Sequence, residues 1–284
     1  MPAHFPIAAI TDEFSPDLET AVTSMSGIGM KGAELRMVFG KNIIDLTDEE
    51  LDRALAIARG RGLEIISIAS PLLKCVLPDA PEVDARFQQD IFASRHTFAD
   101  QPRLAARAFE IARRAGARIV RVFSYWRTVR PEACFDRALE ALRDLADQAA
   151  RHDLIIGLEN EHACNIATGA EAARLFSALE HPNLKLVWDP ANALVSGAIP
   201  FPDDYSKLPP ERIAHVHAKD CRITGDHKHT WVELGTGDVD WKGQMAALIR
   251  DRYRGWISLE THWTGPAGDK HEASVICGRN LVSW

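Results

Sequence analysis

Apolar positions along the chain alternate between short continuous runs and longer stretches with helical spacing. Eight short runs, rich in Ile, Val, Leu and Ala, predict strands at 7–11, 31–36, 63–69, 117–123, 154–159, 184–189, 213–218 and 256–260. Stretches with helical spacing lie between them, at 15–28, 48–60, 102–115, 131–152, 168–179 and 241–253. Thr47 with Glu50 forms a predicted capping box for the helix at 48–60, and Gly116 is a stop signal after another.

Strands that alternate with helices predict parallel βαβ units, and eight of them match a closed (β/α)8 barrel of class α/β. The length of 284 residues and the 46% hydrophobic content suit one such domain over residues 1–284. An open, doubly wound sheet is the alternative. It is disfavoured because the first strand is followed by Thr11-Asp12-Glu13-Phe14, without the glycine-rich turn that binds dinucleotides.

Composition restricts the classes of partner. The formal net charge is −7 and the pI about 5.9, which argues against a nucleic-acid partner. The cysteines number five, and no Cys-x-x-Cys pair occurs, so neither a disulfide framework nor a thiolate zinc site is expected. No apolar run approaches the length of a membrane span, and the N-terminus does not read as a leader. We therefore expect a cytoplasmic protein without a membrane partner, and leave assembly into a homo-oligomer open.

Four consecutive predicted strands end on residues that bind metal ions, namely Glu159, Asp189, His217 and Glu260. Active sites of (β/α)8 barrels lie at the carboxyl ends of the strands, and a buried carboxylate there is costly unless it is paired or metal-bound. Three carboxylates and one imidazole suit Mg²⁺ or Mn²⁺, with Zn²⁺ or Co²⁺ as further options. His215 shares a face with His217 but lies deeper, and we interpret it as a hydrogen-bonded core histidine.

The motifs at these strand ends resemble those of the sugar phosphate isomerase/epimerase superfamily, the xylose isomerase-like TIM barrels. The matching segments are Leu158-Glu159-Asn160, Trp188-Asp189-Pro190-Ala191-Asn192, His215-Val216-His217-Ala218-Lys219-Asp220, Leu259-Glu260-Thr261 and the stretch Gly29 to Arg36. That superfamily includes ketose 3-epimerases, inosose isomerases and dehydratases, and endonuclease IV. The resemblance implies a TIM barrel in which Glu159, Asp189, His217 and Glu260 hold one divalent metal ion.

The activity that this resemblance implies is isomerisation or epimerisation of a small sugar, keto-sugar or cyclitol. A metal-stabilised enediolate would form, with Glu159 and Glu260 as acid and base. The alternative is a metal-dependent dehydratase or lyase acting on a keto-sugar or cyclitol. A DNA-repair enzyme like endonuclease IV is a weaker alternative, because the second and third strands end in Glu34-Leu35-Arg36 and Ile68-Ala69-Ser70, without further histidine ligands.

Substrate contacts are expected from two sources. By resemblance, Asn192 takes the place of a substrate-contacting His of the epimerases, and Lys219 or Arg222 supplies a basic contact after the His-x-His motif. Alternation along the chain also places His262 on the face of Glu260.

Four other positions near the strand ends are also candidates for the site. Glu161 shares a face with Glu159 if the strand alternation continues. Arg36 either pairs with Glu34 or contacts an anionic substrate. Trp126 either packs on a sugar ring or closes the top of the barrel, and Trp231 lies in a long connection, 227–240, that is a candidate lid.

Overall fold

Eight parallel strands form a closed barrel in the computed structural model, which describes residues 5–87, 95–225 and 227–284. The strands are β1 Ile7–Ile10, β2 Gly32–Leu35, β3 Glu64–Leu72, β4 Ile119–Val122, β5 Ile155–Glu159, β6 Leu184–Trp188, β7 Ile213–Ala218 and β8 Trp256–Leu259. Each pairs with its neighbours in chain order, and β1 pairs with β8 to close the barrel. The prediction of a (β/α)8 TIM barrel is therefore confirmed.

Nine α-helices lie within the described ranges: α1 Thr11–Phe14, α2 Leu18–Gly27, α3 Asp48–Gly60, α4 Gln101–Ala115, α5 Phe135–Ala150, α6 Gly169–Ala178, α7 Pro190–Val195, α8 Trp241–Arg250 and α9 Lys270–Ser283. The capping box at Thr47 and Glu50 is present at the start of α3. The predicted helix at 131–152 is a 3₁₀ turn, Pro131–Cys134, followed by α5. No helix in the described ranges is both long and apolar enough to cross a membrane.

Three kinds of secondary-structure element were not predicted from the sequence. The long helix α9 buries a stripe made mostly of small or weakly polar residues, including Ala273, Cys277 and Gly278, so its pattern lacks strong apolar contrast. The short helices α1 and α7 follow directly on strands. Two hairpins extend the strand ends, Met37–Val38 with Lys41–Asn42 and Cys221–Gly225 with Lys228–Trp231.

The core surrounds the barrel as a continuous apolar layer between strands and helices. All five cysteines are buried and free. The strand register brings the carboxyl ends of β5 to β8 to one rim, because Ser258 pairs with His217 and Val187 pairs with His215. Residues that directly follow these strands therefore lie next to one another.

Replacing Gly116, which ends α4, should destabilise the fold. Gly116 has φ +76°, a left-handed conformation in which an added Cβ is strained even though nothing lies within 4 Å. We expect Gly116→Ala to lower the free energy of unfolding by about 1 kcal/mol or more, measured by urea denaturation. Gly60 is the matched control, since it ends α3 with equal free space and no positive φ. Gly60→Ala should be neutral or stabilising, and equal losses in both variants would contradict the conformational explanation.

Candidate active site

The four predicted metal ligands converge at the carboxyl rim of the barrel. Ligand atoms of Glu159, Asp189, His217 and Glu260 all lie within 4.8 Å of one another, and all four residues are buried. Glu159 ends β5 and His217 lies in β7, while Asp189 and Glu260 directly follow β6 and β8. The parallel strands of the closed barrel thus place three carboxylates and one imidazole around a single point.

Basic side chains contact the carboxylates of this cluster. Lys219 Nζ lies 2.9 Å from Asp189 Oδ2 and 2.9 Å from Glu260 Oε2. Arg121 Nη1 lies 3.2 Å from Glu159 Oε2. Arg36 Nη1 donates to Glu260 Oε1 at 2.7 Å, and this guanidinium also contacts Asp12 and Glu13. The buried negative charge is therefore compensated by cations on several sides.

The pKa values reflect this crowding of charge. Burial raises the pKa of Asp189, and the neighbouring Glu159 and Glu260 raise it further against the opposing effect of Lys219. For Glu260, burial acts upward as well, but Lys219, His262 and His217 outweigh it and hold its pKa well below the usual value. Burial would lower the pKa of His217, yet the adjacent carboxylates raise it well above the usual range. Asp189 therefore binds a proton more readily than Glu260 does.

The donor set fits a divalent cation. Asp189 Oδ2 and Glu159 Oε2 are buried and have no hydrogen-bond partner within the described ranges, although each lies at ion-pair distance from a basic group. His217 Nδ1 faces the carboxylates, 3.2 Å from Glu159 Oε1 and 3.5 Å from Glu260 Oε2. The ammonium of Lys219 lies between two of the four residues, where a small cation would contact the same oxygens. Oxygen donors with one nitrogen are typical of Mg²⁺, Mn²⁺ or Zn²⁺ sites.

A local helix fixes the orientation of Asp189. Asp189 is the N-cap of α7, and its Oδ1 accepts a hydrogen bond from the backbone N–H of Asn192 at 2.9 Å. Its own backbone N–H donates to Asn160 Oδ1 at 2.8 Å. The cap occupies one carboxylate oxygen and leaves Oδ2 directed at the cluster, so the motif Asp189-Pro190-Ala191-Asn192 has a direct structural role.

A cavity of about 320 Å³ opens above the cluster, and of the four clustered residues Glu260 lines it. Imidazole and indole rings form one wall: His229 and Trp231 have ring centroids 4.5 Å apart, and Trp231 and His262 5.1 Å apart. His229 is half-buried, and burial with nearby positive charge lowers its pKa to about 4, so it is neutral at pH 7. The wall offers ring faces and the neutral imidazole of His229 to a ligand.

Next to these rings the cavity wall carries charge, since the ring centroids of His162 and His229 are 5.9 Å apart. Glu161 and His162 line the cavity with Lys74, which lies 3.6 Å from Glu161 Oε2 and also sits over the ring of Phe123. His162 Nδ1 is 2.8 Å from Glu161 Oε1. Burial lowers the pKa of His162, but Glu161 more than offsets this and raises it above the usual value. The wall therefore combines an acceptor with two basic groups.

The candidate substrate contacts divide into two groups. Arg36, Glu161 and His262 line the cavity, whereas Asn192, Lys219, Trp126 and Arg222 are not among its lining residues. Asn192 is fully buried and connects the cluster to the wall, since its Nδ2 donates to Glu159 Oε1 at 3.3 Å and its Oδ1 lies 2.9 Å from His162 Nδ1. Lys219 is also buried, with Nζ 5.4 Å from the ring centroid of Trp231.

Two of the expectations need correction. Arg36 does not pair with Glu34 but with Asp12, Glu13 and Glu260, because the carboxylate of Glu34 faces the barrel interior and contacts histidines there. Arg222 lies in the exposed part of the hairpin at 221–231, and its guanidinium donates to the carbonyl of Thr236. The chain turns out of the barrel after β7, so the side chain of Arg222 lies outside the cavity.

Trp126 packs against other side chains at the top of the barrel. It is 8% exposed and belongs to a small apolar cluster with Phe123, Ala163 and Cys164. The connection at 227–240 begins in the second strand of the hairpin, and its Trp231 lines the cavity. The described part of this segment thus forms a wall of the cavity, and its role as a lid stays a prediction.

Sequence analysis missed several residues of the site. Arg121 lies in β4 within the sequence Ile119-Val120-Arg121-Val122, and a lone charge inside a buried apolar strand is a signal that could have identified it. Lys74 and His229 reach the cavity from segments that follow β3 and β7. Lys74 lies outside regular secondary structure and His229 in a four-residue hairpin strand, and neither segment has a periodic pattern from which the contact could be predicted.

Comparison with known proteins identifies the family. The family model described as "Xylose isomerase-like TIM barrel" matches residues 23–280. This match covers most of the chain, and the protein therefore belongs to that family.

Individual similar proteins include a dehydratase, a zinc-binding protein and an epimerase. Inosose dehydratase of Lactiplantibacillus plantarum is 26% identical over 164 residues, 52% of this chain and 53% of that protein, so the match spans about half of this relative's length. The structure of the IolI protein with a bound zinc atom is similar with a TM-score of 0.74 at 14% identity, over 98% of this chain and 96% of that one. D-allulose 3-epimerase of Methylomonas sp., in complex with D-allulose, gives 0.69 at 18% identity, over 99% and 96%.

The ammonium of Lys219 and a divalent cation should compete for the same carboxylates. Lys219→Met removes one partner of a buried ion pair, which should cost about 3–5 kcal/mol of stability in metal-free buffer. Because a bound cation replaces the lost charge, addition of MnCl₂ should raise the melting temperature more in this variant than in the wild type. Differential scanning calorimetry with and without metal measures both effects.

Lys270→Met is the control for this prediction, since Lys270 pairs with Glu13 and not with the four clustered residues. Its response to MnCl₂ should equal that of the wild type. A Lys219→Met protein that gains no more from metal than the wild type would contradict the competition.

Proposed function

We propose that the protein is a divalent-metal-dependent isomerase or epimerase of a small sugar, keto-sugar or cyclitol. The observation that carries the proposal is the convergence of Glu159, Asp189, His217 and Glu260 at the base of a cavity of about 320 Å³. These residues would hold one divalent ion, with Mn²⁺ or Mg²⁺ favoured by the oxygen-rich donor set. The ion would supply Lewis acidity toward a carbonyl of the substrate.

Glu260 is the group best placed to take a proton from a substrate carbon. It is 4% exposed and lines the cavity, whereas Glu159 is fully buried and does not. Arg36 and Lys219 contact both of its oxygens and keep it ionised. A carboxylate held in this way is a weak base, so it requires a carbon acid that is strongly acidified by the neighbouring carbonyl.

Glu159 is proposed as the second proton-transfer group. Asn192 Nδ2 and Arg121 Nη1 hold its two oxygens from different directions, at 3.3 Å and 3.2 Å. Return of a proton to the same carbon from the other face gives an epimer, and return to the neighbouring carbon gives an isomer. Arg121 lines the cavity and also lies 3.9 Å from Glu260 Oε1, so one guanidinium contacts both proposed acid–base groups.

A dehydratase is the second candidate. The match to an inosose dehydratase favours it, and so does the pair of Glu161 and His162 in the cavity wall. Glu161 raises the pKa of His162, which favours the protonated ring, and that ring would donate a proton to a departing hydroxyl group. Both reactions would begin with the same proton abstraction. They would differ in whether His162 then donates a proton to a departing hydroxyl group.

Proton abstraction at carbon should be visible as hydrogen exchange with solvent. The protein with Mn²⁺ and a panel of ketoses and keto-inositols in deuterated water should place deuterium at the carbon next to the carbonyl of its substrate, detected by NMR. Glu260→Gln keeps the size of the side chain but removes its charge, and should slow exchange about a hundredfold or more. Glu64→Gln is the control, since Glu64 is exposed at the opposite, amino-terminal end of β3.

Unchanged exchange in Glu260→Gln would contradict the assigned role. If the substrate turns over without taking up deuterium from solvent, the experiment is repeated in ordinary water with a substrate that carries deuterium at that carbon. Direct transfer of the label to the adjacent carbon of the product would exclude the proton mechanism in favour of a hydride shift.

The function of His162 separates the two candidates. In a dehydratase, His162→Gln should slow water loss about a hundredfold while deuterium exchange into the substrate continues, because the first step does not use the imidazole. Product formation followed by NMR beside exchange measures both rates. In an isomerase or epimerase, His162→Gln should change KM more than the exchange rate at saturation, and no dehydrated product should form in either protein.

A further inference from the structure

A second group of buried polar residues lies directly beneath the cluster and shares His217 with it. Glu34, His215 and His217 are all fully buried, with 0% exposure. Glu34 comes from β2 and both histidines from β7, and two strands, β1 and β8, separate these in the barrel. Glu34 therefore reaches the histidines across the barrel interior, a contact that only the closed barrel creates.

One carboxylate oxygen serves both rings. Glu34 Oε1 lies 2.8 Å from His215 Nε2 and 3.2 Å from His217 Nε2. An ionised carboxylate only accepts hydrogen bonds, so each of these ring nitrogens must carry the hydrogen. The other nitrogen of His217, Nδ1, is the one that faces Glu159 and Glu260. Nε2 of this ring therefore contacts Glu34, while Nδ1 lies on the side of the clustered carboxylates.

We infer that Glu34 is a positioning residue, which fixes the tautomer and the ring orientation of His217 so that Nδ1 is available to the divalent cation. The inference rests on the metal site of the proposed function. Metal-binding histidines commonly donate their second N–H to a carboxylate, and loss of that partner weakens metal binding. Here a single carboxylate does this from the far side of the barrel.

The surroundings of Glu34 argue against a purely structural role. Its Oε2 and His215 Nδ1 have no hydrogen-bond partner among the described residues, although both are completely buried. A buried charge with an unsatisfied oxygen is unfavourable for folding, and an apolar side chain would fill the same space at lower cost. His215 adds a second donor to Glu34 Oε1 and so holds the carboxylate in place, which agrees with its expected role as a hydrogen-bonded core histidine.

Glu34→Gln tests the inference, since it keeps the shape but removes the charge that selects the Nε2–H tautomer. Titration with Co²⁺, followed by visible absorption and calorimetry, should give a dissociation constant about 10- to 100-fold higher than in the wild type. The Co²⁺ absorption bands should also shift, because the imidazole no longer has one fixed orientation. Glu34→Asp retains a carboxylate and should recover part of the affinity.

Asp204→Asn is the matched control. Asp204 is another buried acid, 3% exposed, whose Oδ2 accepts from the backbone N–H of Gly169 at the start of α6. Its replacement should lower the melting temperature but leave the Co²⁺ dissociation constant and spectrum unchanged. A loss of affinity that merely follows stability would appear in this variant as well, and would overturn the inference.

A second measurement does not depend on any variant. In the Zn²⁺-loaded wild type, nitrogen-15 NMR of the ring should identify Nε2 of His217 as the protonated nitrogen and Nδ1 as the metal-bound one. Zinc on Nε2, or wild-type affinity in Glu34→Gln, would overturn the role of Glu34 and leave the proposed function standing. A wild type that binds no divalent cation would instead overturn the metal site itself, and the inference with it.

Discussion

Three buried carboxylates at one end of a barrel repel one another, and the rest of the site can be understood as compensation for that repulsion. Lys219 lies between Asp189 and Glu260, while guanidinium groups contact Glu159 and Glu260 from other directions. In a region of low dielectric constant these interactions are strong, and removing one partner leaves an uncompensated charge. A divalent cation offers the same compensation from a single point, which explains why the cluster suits one so well.

The polar layers of the barrel interior are coupled through His217. Its Nδ1 faces the upper carboxylates and its Nε2 faces Glu34 below, so one imidazole connects the two layers. A path of side-chain contacts runs from Glu159 through Asn192 and His162 to Glu161, which lies in the wall of the cavity. A continuous path of polar contacts therefore joins the base of the site to the wall of the cavity.

The four proposed ligands do not distinguish isomerisation, epimerisation and dehydration, since in the proposed mechanism all three would begin with loss of a proton beside a carbonyl. The groups that line the cavity would then decide between them. The hairpin at 221–231 contributes His229 and Trp231 to the cavity wall, and the segments after β3 and β5 contribute Lys74, Glu161 and His162. These loop residues differ in chemistry from the strand-end cluster, and in barrels of this kind it is loop variation that changes the reaction.

The barrel and the four clustered residues could be predicted from the sequence, because both depend on local patterns: eight apolar runs of strand length, and a potential metal ligand at the end of four successive runs. Motif resemblance added the expected chemistry. The contacts across the interior, such as Glu34 with the histidines of β7 and Arg36 with Glu13 and Glu260, emerge only in the folded barrel. Closure of the barrel brings together residues far apart in the chain, and no periodicity of hydrophobic positions encodes which of two opposite charges a given side chain will reach.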